Sequence, residues 1–311
     1  MEKPRILTII GPTASGKTEF AIKTAESLRS EFNKDVEIIS ADSRQVYKHI
    51  PIATAQPSKE DLGKFKHYFI NELELEEDFN AGDFGKKGRD IIKKIINSGK
   101  IPIIVGGSGL YIDSLVTGLF DFEALTDDED LKKSQKQIRE KLYDELKSSG
   151  LEKLVNKLKK VDPETVKNIP QVTERRVIRA LEVFYLTGIP ISVHKSKKID
   201  IEFIPVKIGI KQNREELYKR INERVDNMLA NGLIDEVKTL KEKGYHYKDY
   251  NSLNTVGIKE VFDWLDDKIS YNRMIELIKQ NTRRFAKRQM TWFRRYKDIK
   301  WTDINSEIAK W

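Results

Sequence analysis

The chain has 311 residues, 39% hydrophobic and 34% charged, with a formal net charge of +8 and no cysteine. That length allows one large core plus a second, smaller body, and no apolar run approaches the roughly 18 residues of a membrane span, so a membrane class and a membrane partner are excluded. Without cysteine neither disulfides nor a thiolate zinc site can form, and the start Met1-Glu2-Lys3-Pro4-Arg5 enters an apolar run with no signal-type region, which points to the cytoplasm.

The first predicted element is a strand over 5–10, Ile6-Leu7-Thr8-Ile9-Ile10 at its centre. Gly11-Pro12-Thr13-Ala14-Ser15-Gly16-Lys17-Thr18 follows at once, and a helix is predicted over 17–30. A glycine-rich loop between a buried strand and a helix is a phosphate cradle. Its backbone N–H groups turn toward an anion, Lys17 adds charge, the Thr18 hydroxyl can hold Mg²⁺, and the helix N-terminus faces the site. A strand over 36–40 leads into Ala41-Asp42-Ser43-Arg44-Gln45-Val46-Tyr47. A helical stretch over 83–98 precedes a strand over 101–105, which ends in Gly106-Gly107-Ser108-Gly109. Both loops are expected at the carboxyl edge of a parallel sheet, where ligands bind in such folds. Asp42 or Ser43 as a helix N-cap, and the glycines as a plain tight turn, are the structural alternatives.

From about 120 to 198 strand signals vanish. Leu142, Leu146, Leu151, Leu154, Val155 and Leu158 recur at helical spacing, which reads as an inserted helical domain. A strand over 203–210 rejoins the sheet, and the remainder is predicted helical to the end. The expected fold is therefore a P-loop NTPase-like parallel α/β core, begun by residues 1–120 and completed by 200–311, with an all-helical insertion over 121–199 and a helical C-terminal region. The basic excess is local: nine Lys and Arg between Lys279 and Lys300 face only Asp298, and ten between Leu131 and Lys160 face four acids, after an acidic run from Asp121 to Asp130. A solvated helix face and nucleic-acid contact are both open for the 131–160 stretch. In the C-terminal one, Phe285, Trp292 and Tyr296 are predicted to pack while Arg284, Arg288 and Arg295 flank them, a pattern suited to a phosphate backbone.

The order of five motifs resembles the bacterial tRNA dimethylallyltransferases, also called IPP transferases: Gly11 to Thr18, Ser40 to Lys48, Gly106 to Tyr111, Arg176-Val177-Ile178-Arg179-Ala180-Leu181-Glu182, and Arg284 to Arg294. The chain departs from the family pattern at Ala53 to Pro57, Ile169 to Val172, Ser108 and Gly257-Ile258. The resemblance implies transfer of a prenyl group from dimethylallyl diphosphate to N6 of the adenosine 3′ of the anticodon, with Mg²⁺ as cofactor, the tRNA anticodon stem-loop as partner and a monomeric protein. It implies that Gly11, Pro12, Thr13, Ala14, Ser15, Gly16, Lys17 and Thr18 hold the diphosphate, and that Asp42 is the general base. Thr13, Lys17 and Arg220, preferred here over Arg224, attend the leaving group. Family members grip the stem-loop between core and insertion. Asp42, Ser43, Arg44 and Gln45 would read the flipped base and its neighbours, while Ser108, Arg175, Arg176, Val177, Ile178, Arg179, Arg284 and Arg288 would contact the RNA. An AMP-specific prenyltransferase, a small-molecule kinase and an RNA-binding NTPase are the other readings of a phosphate loop in this setting.

Overall fold

A computed structural model describes residues 2–118, 129–169, 171–196, 200–304 and 306. Six strands form one parallel sheet in the order β3-β2-β4-β1-β5-β6: β1 (Arg5–Ile10), β2 (Val36–Ala41), β3 (Lys66–Tyr68), β4 (Ile101–Gly106), β5 (Ile204–Ile210) and β6 (Lys300–Thr302). The helices between them are α1 (Lys17–Phe32), α2 (Pro51–Thr54), α3 (Lys59–Lys64), α4 (Ala81–Asn97), α5 (Gly109–Thr117), α6 (Glu129–Val161), α7 (Pro163–Asn168), α8 (Glu174–Thr187), α9 (Ile191–Ser196), α10 (Arg214–Ala230), α11 (Leu233–Glu242), α12 (Ile258–Leu265) and α13 (Tyr271–Phe293). None is long and apolar enough to cross a membrane.

β1, β2 and β4 are almost wholly buried because helices cover both faces of a parallel sheet, and their apolar runs are broken by Thr8, Glu37 and Ser40, which are buried too. Leu7, Ile9, Ile38, Ile103 and Val105 close over Phe20, Ala21, Ala25 and Leu28 of α1, all nearly inaccessible to water. Burying side chains of this size stabilises the fold by about 1.5–3 kcal/mol each. β3 and β6, three residues each, carry no sequence signal. They are edge strands, and Lys66-His67-Tyr68 and Lys300-Trp301-Thr302 have the charge and brevity that keep an edge from pairing with another chain. The expectation of helix to the end is corrected by β6, which pairs with β5 from Ile208 opposite Lys300 to Ile210 opposite Thr302.

The chain divides into two compact units, Met1–Val116 with Glu202–Trp311, and Thr117–Ile201. Boundaries expected at 120/121 and 199/200, and most of the acidic run from Asp121, fall on residues outside the described set. Within the second unit, Leu142, Leu154 and Leu158 of α6 pack with Val177, Ile178 and Leu181 of α8, and α6 is kinked at Gly150, whose φ of 77° ends one helical run and starts another.

Candidate active site at the carboxyl edge of the sheet

Strand register sets the site. Ile10 of β1 and Ala41 of β2 both pair with Gly106 of β4, so three loops leave the sheet at one level. β4 lies between the other two, so the Asp42 loop and the phosphate loop flank the glycine loop. Gly106 permits this closeness: a Cβ there would stand 2.2 Å from the Ala41 carbonyl oxygen.

In the phosphate loop, Ala14 (φ 62°) and Gly16 (φ 87°) adopt left-handed conformations, which turns successive N–H groups to one side as an anion nest does. Gly16 is the N-cap of α1 and supplies no side chain to compete for the first-turn N–H groups. The Ser15 hydroxyl is buried beside Gly11 with no hydrogen-bond partner among the described residues. Lys17 Nζ lies 3.4 Å from the Pro12 carbonyl oxygen. Burial is the main cause that pushes its pKa down to about 8; the Asp42 carboxylate opposes this and the Arg224 guanidinium adds to it. Arg224, on α10, is likewise pushed below its ordinary value, by burial first and against the attraction of Asp42. Among the described residues neither cation has a carboxylate within ion-pair distance. Two desolvated cations that share the attraction of one carboxylate, Asp42, without a direct ion pair are left undercompensated until an anionic ligand joins them.

Asp42 accepts hydrogen bonds at Oδ1 from the Arg44 N–H (2.9 Å) and the Gln45 N–H (3.4 Å), and its Oδ2 is uncommitted among the described residues. Thr13, Lys17, Thr18, Asp42 and Arg224 line one cavity of about 480 Å³. Ile22, Ile38, Ile70 and Val105 give the same cavity an apolar wall, and Asn254, Thr255, Lys259, Asn281 and Arg288 a polar one. The size is ordinary for a small-molecule site. Charge at one end and hydrocarbon beside it suit an amphipathic phosphate ester.

The remaining sequence-predicted residues divide. Ser43 donates its N–H to Ser108 Oγ at 3.1 Å, which ties the two loops together, and Arg44 donates to the Asn251 carbonyl. Gln45 lines the cavity, with Nε2 donating to the Thr54 and Ala55 carbonyls and Oε1 accepting from Ser40, bonds that shape the loop. Arg220 lines a shallow neighbouring pocket together with Gly16, Lys17, Thr18 and Arg224, so both arginines border the phosphate loop, and Arg224 also lines the main cavity, which Arg220 does not. Val177 and Ile178 are 1% and 3% exposed in the core of the helical unit and cannot reach RNA, a correction of that expectation. Arg175 and Arg176 are exposed, while Arg179 is half-buried with Arg139 against the buried Glu182 carboxylate. In the C-terminal half of α13 the buried residues are Ala286, Gln289 and Phe293; Trp292 and Tyr296 are half-buried and do pack, both donating to Asp113, with Tyr296 stacked on Phe293, whereas Phe285 is exposed, a correction of that part of the expectation. Arg284 is exposed, Arg288 lines the cavity beside the Phe285 ring, and Arg295 is held by Asp113 at 3.2 Å and stacked 3.9 Å over Trp292.

Comparison with known proteins then decides the family. A sequence model of the IPP transferase family matches residues 45–296. The chain belongs to the IPP transferase family. It is 42% identical over 299 residues to the tRNA dimethylallyltransferase of Natranaerobius thermophilus (96% of this chain, 86% of the relative), and 43% identical over 303 residues to that of a Thermoanaerobacter species (96% and 91%). Among solved structures it is similar to the tRNA isopentenylpyrophosphate transferase of Bacillus halodurans (36% identity, TM-score 0.66, 97% of this chain and 90% of that one). It is also similar to a eukaryotic dimethylallyltransferase captured acting on tRNA (30% identity, TM-score 0.80, 97% and 74%). In this IPP transferase the face of α13 that meets the cavity extends the site beyond the sequence-predicted residues. Ile278, Asn281, Thr282, Phe285, Arg288 and Gln289 all line it, and their three- and four-residue spacing is the signal by which the sequence marks that face.

Proposed function

We propose that the chain transfers a dimethylallyl group from dimethylallyl diphosphate to N6 of the adenosine 3′ of the anticodon in tRNA, releasing diphosphate. The observation that carries the reading is the joint placement of Lys17 and Arg224, without a direct ion pair among the described residues, with the uncommitted Asp42 Oδ2 and an apolar wall in one cavity. The phosphate loop and Arg224 would bind the diphosphate, and Ile22, Ile38, Ile70 and Val105 the five-carbon chain. As the allylic C–O bond breaks, negative charge grows on the leaving diphosphate, where Lys17, Arg224 and the loop N–H groups stabilise it. The adenine amine is a weak nucleophile that becomes acidic as the C–N bond forms, and Asp42 takes its proton. Extruding the base costs a few kcal/mol, offset by contacts in the cavity.

Among the described residues the Thr18 hydroxyl lines the cavity with no protein hydrogen bond, and no cluster of three His, Asp or Glu is present. This donor set fits Mg²⁺ held by Thr18 together with diphosphate oxygens and water. Bound there, the ion would neutralise charge on the leaving group. Arg175 and Arg176 of the helical unit, with Arg284 and Arg288 of α13, are the RNA-backbone candidates, and monomeric action is part of the same reading. A kinase would place a transferred phosphoryl group in the loop, and the apolar wall beside Lys17 favours a prenyl chain instead. Specificity for AMP is disfavoured by the names of the relatives. The test is incubation with labelled dimethylallyl diphosphate and either tRNA or AMP, followed by nucleoside mass spectrometry. Label in tRNA N6-prenyladenosine supports the proposal, and label in AMP alone refutes it.

Diphosphate restores a counter-ion to Lys17 and so raises its pKa above the free value of about 8. Between that value and the bound one, binding takes up a proton. The contribution of Lys17 to inorganic diphosphate affinity, read as wild type against Lys17→Ala so that the ligand's own ionisation cancels, is therefore expected to be level below pH 8 and to fall by up to about tenfold per pH unit above it. Titration calorimetry of both proteins in buffers of different ionisation heat reads the proton uptake; a Lys17 contribution independent of pH from 7 to 10 would contradict it.

Arg284→Gln and Arg288→Gln are each expected to weaken tRNA binding and to flatten the slope of log K against log salt by about 0.7–0.9. Arg295→Gln should leave the slope alone and lower thermal stability, because its guanidinium is committed to Asp113 and Trp292. Filter binding between low and physiological salt separates the two groups.

A further inference from the structure

One buried amide joins the three parts of the site. Gln289 of α13 is 6% exposed. Its Oε1 accepts the Thr13 N–H at 2.8 Å, and its Nε2 donates to the Gly107 carbonyl at 2.9 Å. Gly107 carries no Cβ at the place where one would lie 2.3 Å from that Nε2. Through Thr13 the amide fixes the 12–13 peptide plane, so this N–H points into the protein while the Thr13 hydroxyl, which has no protein partner among the described residues, is left to the cavity. Through Gly107 it holds the strand-end loop whose next residue, Ser108, accepts the Ser43 N–H and donates its own N–H to the Ala41 carbonyl at 3.1 Å, on either side of Asp42. On the same helix Phe285 and Arg288 line the cavity.

We infer that Gln289 is a positioning residue, which sets the distance between the diphosphate loop and the Asp42 loop and so aligns the allylic carbon with the adenine amine. The inference rests on the prenyl-transfer reading above. Gln289 is expected to act on turnover more than on binding, because its hydrogen bonds go to loop backbone and it makes none to Lys17, Thr18 or Arg224, the side chains assigned to the diphosphate and its Mg²⁺. Misplacing reacting groups by about 1 Å costs on the order of 10²-fold in rate.

The experiment uses Gln289→Met, which keeps length and removes both hydrogen bonds, and Gln289→Glu, which keeps the acceptor for Thr13 and puts a carboxylate oxygen against the Gly107 carbonyl. Expected for Met is a kcat about 30- to 100-fold lower, with KM for tRNA and for dimethylallyl diphosphate within about threefold of wild type and hydrogen exchange at the Thr13 amide at least about tenfold faster. Glu should retain Thr13 protection and fall between wild type and Met in kcat. If Met does not fold, the Glu variant and its exchange pattern decide. A kcat within threefold of wild type, KM values rising in step with the loss of kcat, or unchanged Thr13 exchange would overturn the inference. A wild-type protein that fails to prenylate tRNA would instead defeat the functional reading, leaving Thr13 exchange to judge Gln289 separately.

Discussion

Asp42→Asn is expected to lower kcat by roughly two to four orders of magnitude, the range typical of losing a general base. The substitution is nearly isosteric, and an amide oxygen can still accept the Arg44 and Gln45 N–H groups that Oδ1 now holds, so the loop keeps its shape. What disappears is the second oxygen's ability to take a proton from the adenine amine. The diphosphate should bind as well as before or slightly better, because Asp42 contributes a negative charge near Lys17 and Arg224. Single-turnover kinetics with saturating donor measure the step. A variant retaining more than a tenth of wild-type turnover would remove Asp42 from the role.

Lys17→Ala and Arg224→Gln are expected to weaken binding of inorganic diphosphate by about 10- to 100-fold each, since a hydrogen bond to a charged group contributes about 1.5–3 kcal/mol, and to lower kcat as well because the same contacts strengthen as the leaving group departs. Arg220→Gln, in the neighbouring pocket, should cost less than about fivefold on this scale. The free protein gives the opposite sign: both cations are desolvated without a direct ion pair among the described residues, so each substitution should raise the melting temperature of the ligand-free protein. Calorimetric titration and thermal melts of the three variants test both halves together. If Arg220→Gln loses more affinity than Arg224→Gln, the two arginines exchange roles.

The core was legible where one local signal sufficed. An apolar run followed by glycines placed β1 and β4 and their loops, and the register that levels Ile10, Ala41 and Gly106 follows from parallel pairing. Two edge strands escaped because three polar residues carry no periodicity, and their pairing is imposed by β2 and β5. The tie between Gln289 and Thr13 spans 276 positions, and no local pattern encodes a contact of that range. Arg220 and Arg224 lie one helical turn apart on α10, with the same residue type and similar neighbours, so only the rotation of that helix against the cavity tells them apart. Val177 and Ile178 show the reverse failure. Their spacing with Leu181 already marked a core face, and a family motif carried over whole assigned to RNA two side chains that the helical unit buries.

The phosphate loop, on this account, receives a departing diphosphate and not a phosphoryl group in transfer. The most direct measurement is ³¹P NMR of a reaction containing the protein, Mg²⁺, dimethylallyl diphosphate and tRNA, with prenylated adenosine quantified from the same sample and a parallel reaction supplied with ATP instead. The expected result is one inorganic diphosphate released per prenyl group attached and no turnover of ATP; orthophosphate production or a phosphorylated product from ATP, without diphosphate release from the prenyl donor, would overturn the prenyl-transfer assignment.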